Sequence, residues 1–148
     1  MAVSVQAEDF DVGAEMATMT AGRADIGALV SFTGLVRDMP NGSEMVLEHY
    51  PGMTEKALEK IEAEARGRWA LQDCRIIHRY GPLDAGAQIV LVLTASPHRQ
   101  AAFEAAAFIM DFLKSRAPFW KKESGSGWVD AREADETALN RWRLTEAK

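Results

Sequence analysis

The sequence holds a single cysteine, Cys74, so no disulfide can close within the chain, and a reducing, cytoplasmic setting is expected. It lacks any apolar run near the roughly 20 residues that a membrane-crossing helix needs. Its first residues have neither the basic nor the apolar stretch of a secretory leader. There is no excess of cations. The formal net charge is −5, which argues against general nucleic-acid binding and means that any anion site must be a local concentration of positive charge. Histidine is scarce: His49, His78 and His98 stand far apart without metal-ligand spacing, and no metal site is expected. The nucleophile elbow, the P-loop, the dinucleotide fingerprint and the paired-histidine zinc motif are all missing. Cys74 has only Arg75 as a local cation and reads as a small buried thiol rather than a nucleophile.

What remains is a chain of 148 residues, 47% apolar and 26% charged, a balance that favours one folded domain over residues 1–148 rather than a disordered segment. Strand patterns fall at Val3–Gln6, at 28–34, at 45–50, at 75–80 and at 89–94. The stretch Ile89–Leu93 has no polar alternation, which predicts a central strand covered on both faces. Between the last two strands, Gly81–Gly86 reads as a turn, and Arg37–Ser43 reads as a turn-rich loop. Helices are expected at 11–19, at 54–69 with a stripe of Ala57, Leu58, Ile61, Ala65 and Trp69, and at about 133–143. The longest helix is expected from Ser96-Pro97, with serine as its cap, to about Ser115. A hairpin is expected from Phe119–Lys122 and Trp128–Asp130. The order of elements predicts a mixed α/β or α+β domain.

Three basic spots stand out. His98-Arg99 fall in the first turn of the long helix, where cations oppose the helix dipole but an anion is favoured. They are either solvated side chains or an anion site. The stretch Lys114–Lys122 carries four cations and no acid, interleaved with Phe119 and Trp120. Its cations either complement a helix end and an edge hairpin, or include a crowded lysine with a lowered pKa. Arg37 sits in a loop, where function often lies.

Five segments in order carry a resemblance: 31–38 (SFTGLVRD), 47–58 (LEHYPGMTEKAL), 77–81 (IHRYG), 96–99 (SPHR) and 108–123 (FIMDFLKSRAPFWKKE). Together they closely resemble the large, catalytic subunits of molybdopterin synthases, over roughly residues 25–142. The first 24 residues carry little of the likeness. The resemblance implies an α+β fold, an α/β hammerhead core with an additional antiparallel sheet, and a homodimer within a heterotetramer. It implies a small ubiquitin-like partner that inserts a C-terminal Gly-Gly thiocarboxylate, and transfer of two sulfurs to cyclic pyranopterin monophosphate to form a dithiolene. No bound cofactor is implied, since the partner supplies the sulfur. The family's catalytic lysines match Lys114 and Lys121. Its substrate-binding positions match Leu35, Val36, Arg37, His98, Arg99, Lys114, Lys121, Lys122 and Glu123, and its pocket wall matches Phe32 and Met110. At Leu35 relatives can carry lysine, which puts a side-chain role there in doubt, though its backbone could still contact substrate.

Two rivals stand beside this sulfurtransferase: a non-catalytic module on the same scaffold, and an enzyme acting on another phosphorylated substrate. Two further expectations concern geometry. The carrier tail should enter as an extended strand beside the hairpin, with Phe119 and Trp120 as channel wall or plain hairpin core. His98 and Lys114 lie 16 positions apart on one helix, about 24 Å along its axis. A single pterin phosphate is far shorter, so the two should meet only across a two-fold dimer.

Overall fold

A computed structural model describes residues 2–37, 45–123, 127–129 and 142, with side chains for residues 2–37, 45–119 and 142. Eleven elements are described: β1 (Val3–Gln6), α1 (Val12–Thr20), β2 (Ala28–Leu35), β3 (Met45–His49), α2 (Met53–Arg68), β4 (Asp73–Arg79), β5 (Gly81–Leu83), β6 (Gln88–Ser96), α3 (Arg99–Arg116), β7 (Phe119–Glu123) and β8 (Gly127–Val129). The strands form two four-stranded sheets. The first runs β1-β4-β6-β2, with β1 parallel to β4 and the other pairs antiparallel. The second runs β5-β3-β7-β8 and is antiparallel throughout. Mixed helices and open sheets make this the α+β fold that the sequence predicts.

The continuous apolar run of β6 is explained by its place. It lies between β4 and β2, and Val90–Ser96 are all buried. Val90 and Val92 face Leu58, Ile61 and Ala65 of α2 and Phe108, Ile109 and Leu113 of α3. Leu91, Leu93 and Ala95 face the other way, onto Phe10 and Met19 beside α1. Period-two alternation thus splits one apolar strand between two cores. Of the stripe expected on α2, Leu58, Ile61, Ala65 and Trp69 pack on this core while Ala57 stays half-buried at its margin, and Phe108, fully buried, is the hub of that side. Phe108→Ala would cost about 3–5 kcal/mol by the usual cavity arithmetic. Asp11 caps α1 by accepting from the Ala14 N–H at 3.0 Å, and Arg75 of β4 holds Glu15 at 3.0 Å, which ties that helix to the sheet.

Two local expectations are corrected. The region 81–86 is not only turn: Gly81–Leu83 forms β5 against β3, with Pro82 opposite Val46. Proline is tolerated because β5 is the outer strand of its sheet among the described residues. Ser96-Pro97 do not open α3. Ser96 is the last residue of β6, opposite Ala28, and His98 is the cap residue. The Ser96 hydroxyl donates to the His98 carbonyl instead of accepting from a helix N–H. Strand pairing has claimed the serine that a local reading gives to the helix. The helix expected at 133–143, apart from Trp142, lies outside the described residues, as do most of the loop 37–43 and the tip of the hairpin. No helix among the described residues is long and apolar enough to cross a membrane.

Candidate functional site

The sequence-predicted site residues fall into two groups, and β6 with α3 sets the distance between them. The helix starts just beyond the end of β6 and folds back over the sheet, with the Thr94 hydroxyl donating to the Ala102 carbonyl at 2.7 Å. Its last turn therefore lies toward the start of β6, where β2 ends: Leu35 is opposite Gln88.

The first group gathers at that end. Lys114 is exposed in the last turn of α3, one turn beyond the half-buried Met110. Met110 leans on the core around Phe108. After Ala117 and Pro118 the chain enters β7, where Lys121, Lys122 and Glu123 stand opposite Leu47, Val46 and Met45. From the other side comes β2. Phe32 and Leu35 are exposed, 42% and 54%, unusual for large apolar side chains. Val36 is the reverse, buried with Met45, Leu47 and Leu83. Its N–H donates to the Ala87 carbonyl at 2.8 Å, and its carbonyl accepts from the Gly86 N–H at 2.7 Å. The Val36 side chain is thus spent on packing and its peptide groups on the 86–87 turn, which fixes the base from which the exposed Arg37 projects.

The second group sits at the far end of the same helix. His98 is the cap residue and Arg99 the first residue of α3, both exposed, with no acidic residue in the first turn. They border an open recess of about 840 Å³ with Gly27, Pro97, Phe103 and Glu104. Free N–H groups at a helix start beside an arginine form a region where an anion is stabilised. Gly27 makes the junction possible: a Cβ there would lie 2.0 Å from the Pro97 carbonyl oxygen. Within one chain the structure does not bring His98 and Arg99 to Lys114, since α3 is unbroken between them.

The remaining candidates resolve into packing. Cys74 is buried, and burial pushes its thiol up to about 12, so it is un-ionised at neutral pH and inert as a nucleophile. His49 lies against Tyr80, ring centroids 4.1 Å apart. His78 is buried and stacks on Phe119 at 3.6 Å and 18°, so Phe119 meets a core residue of β4. Among the described residues no cluster of His, Cys, Asp and Glu could hold a metal ion. Two contributors escape a sequence reading. Gly27 is one, since its close approach depends on a residue 70 positions on. Thr54 is the other, and only its place in the Tyr50-Pro-Gly-Met-Thr54 segment singles it out.

The sequence and the fold both have relatives. The family model described as MoaE protein matches residues 5–116. A molybdopterin synthase catalytic subunit of Mesorhizobium japonicum is 57% identical, with 95% of this chain and 92% of the relative covered. A solved structure described as a molybdopterin biosynthesis MoaE protein from Burkholderia ambifaria is 53% identical, with a TM-score of 0.83 over 96% of this chain and 98% of that one. A more distant structure, a complex of subunits 1 and 2 of a molybdopterin-converting factor from Helicobacter pylori, matches at a TM-score of 0.71 with 20% identity, covering 90% and 92%, and bears on the fold alone.

Proposed function

The chain belongs to the MoaE protein family, and from that premise we propose that it is the catalytic subunit of a molybdopterin synthase, a cytoplasmic sulfurtransferase acting as one domain over residues 1–148. It takes sulfur from the C-terminal thiocarboxylate of a small ubiquitin-like carrier and delivers it twice to cyclic pyranopterin monophosphate. The carrier rather than a bound cofactor supplies the sulfur. The observation that carries this reading is the split of the cations between the two ends of α3, Lys114 beside β7 and Arg37 at one, His98 and Arg99 at the other.

Each end suits one part of the chemistry. Thiocarboxylate and phosphate are both anions. At the Lys114 end, Lys114 and Lys121 hold and polarise the thiocarboxylate and move protons as sulfur attacks the pterin side chain. In each transfer a C–S bond forms on the pterin side chain as a C–O bond there breaks, the oxygen leaving as water or on the phosphate, and water then cleaves the acyl–sulfur bond, releasing the carrier as a carboxylate. Arg37, with Leu35 contributing its backbone, holds substrate from the end of β2. Lys122 and Glu123 continue the binding strand, and Phe32 and Met110 line it. At the other end, His98 and Arg99 of one protomer take the phosphate of substrate held at its partner's lysines, within a dimer flanked by two carriers. In the second sheet β7 is paired on both sides, to β3 and β8, which supports entry of the Gly-Gly tail along the outer edge of β8.

Purified chain mixed with thiocarboxylated carrier and cyclic pyranopterin monophosphate should yield dithiolene product. An inert mixture, or turnover only of another phosphorylated compound, overturns the assignment. Arg99→Ala and Lys114→Ala homodimers should each be nearly dead, and mixed dimers should regain one intact site. No recovery after verified subunit exchange removes the shared site while leaving the sulfurtransferase standing.

A further inference from the structure

Between Lys114 and Lys121 the chain leaves α3 and enters β7, and the corner is held by a residue that the chemistry above does not use. Thr54, in the first turn of α2, is fully buried. Its hydroxyl donates to the Pro118 carbonyl at 3.1 Å and accepts from the Tyr50 N–H at 2.9 Å. The Thr54 N–H in turn donates to the Tyr50 carbonyl at 2.9 Å. One hydroxyl therefore joins two corners, β3 to α2 and α3 to β7, across 64 residues of sequence. Its single proton and an acceptor lone pair are both committed. The neighbours of Pro118 are tied as well: the Phe119 N–H donates to the Ala117 carbonyl at 2.9 Å, and the Phe119 ring stacks on His78. Pro118 lies four residues after Lys114 and three before Lys121, so the contact fixes the link between the two lysines.

We propose that Thr54 is a positioning residue for the Lys114–Lys121 pair, its hydroxyl setting the α3–β7 corner through the Pro118 carbonyl. The inference rests on the synthase reading for its rate arm only. Valine matches threonine in shape and lacks the hydroxyl, so Thr54→Val leaves the Pro118 carbonyl and the Tyr50 N–H without this partner. A small displacement of a catalytic group costs up to about 100-fold in rate.

Thr54→Val should lower kcat roughly 10- to 100-fold, with KM for cyclic pyranopterin monophosphate near that of the parent. Thr54→Ser, which restores the hydroxyl, should return most of the rate. In a Lys121→Ala background, Thr54→Val should slow turnover little further, because the relation between the two lysines that Thr54 sets is already lost with Lys121. Amide exchange across residues 117–123 should quicken in Thr54→Val and not in Thr54→Ser, while β4 and β6 keep the parent's protection. Should Thr54→Val fail to fold, Thr54→Ala is held to the same expectations. Parent kcat in a folded hydroxyl-free variant, a fully additive loss with Lys121→Ala, or a Thr54→Ser variant as slow as Thr54→Val overturns the proposal. If the parent itself makes no dithiolene, the synthase reading has failed, and exchange across 117–123 still decides whether the clasp exists.

Discussion

The two ends of α3 carry cations under opposite conditions. At the C-terminal end, Lys114 and Arg116 sit where unpaired carbonyls and the helix dipole favour positive charge. At the N-terminal end, His98 and Arg99 sit where free N–H groups disfavour it, and no acidic residue in the first turn offsets them. A cation at the favourable end has a structural explanation ready, so its chemistry must be argued from its surroundings: β7, Arg37 and the clasped corner. A cation at the unfavourable end has no such explanation, and it points to a bound anion more directly.

The comparison can be pressed at three levels. The largest effect should be on rate. Lys114→Ala should lose about 10²–10³ in turnover, the worth of roughly 3–4 kcal/mol of preorganised charge, while melting within a few degrees of the parent. Near-normal turnover would take Lys114 out of the chemistry, and a collapsed melting temperature would make it structural. Next comes the junction at the other end. Gly27→Ala puts a Cβ against a backbone carbonyl that cannot swing aside, and overpacking of this kind costs about 1–3 kcal/mol. Urea unfolding should show a lower midpoint with an unchanged slope, and a midpoint equal to the parent's would mean that the close approach relaxes freely. The smallest effect concerns the dipole itself. With no anion present, Arg99→Ala should raise stability and Arg116→Ala lower it, each by about 0.3–1 kcal/mol. Shifts of the same sign in paired thermal melts would break the contrast.

Much of the fold is legible because burial writes a period into the sequence. The stripe on α2 and the unbroken apolar run of β6 both name their elements, and the run even names its place between two layers. What local reading loses is decided by partners far along the chain. Ser96 looks like a helix cap and is a strand residue because Ala28 pairs with it. Gly81-Pro82 looks like a turn and is an edge strand because Val46 lies opposite. The site divides in the same way. The clustering of Lys114, Lys121 and Lys122, and the odd placing of His98-Arg99, are visible as charge along the sequence. The burial of Val36 between two exposed neighbours, the clasp of Thr54 on Pro118 and the demand for glycine at position 27 are not, since each depends on a contact made by folding.

The strand β6 has one more consequence. Paired along both edges and buried over most of its nine residues, it cannot shorten or bow without breaking two ladders. It is a spacer of set length, about 26 Å from Gln88 to Ser96 at the usual rise per residue. No amount of substrate binding energy can draw its two ends together inside one protomer. If both ends serve one substrate, activity becomes a measure of association. Diluting the protein should lower the rate per chain as dimers separate, with helix and sheet signals of each protomer intact, so that dilution acts on this enzyme as an inhibitor would.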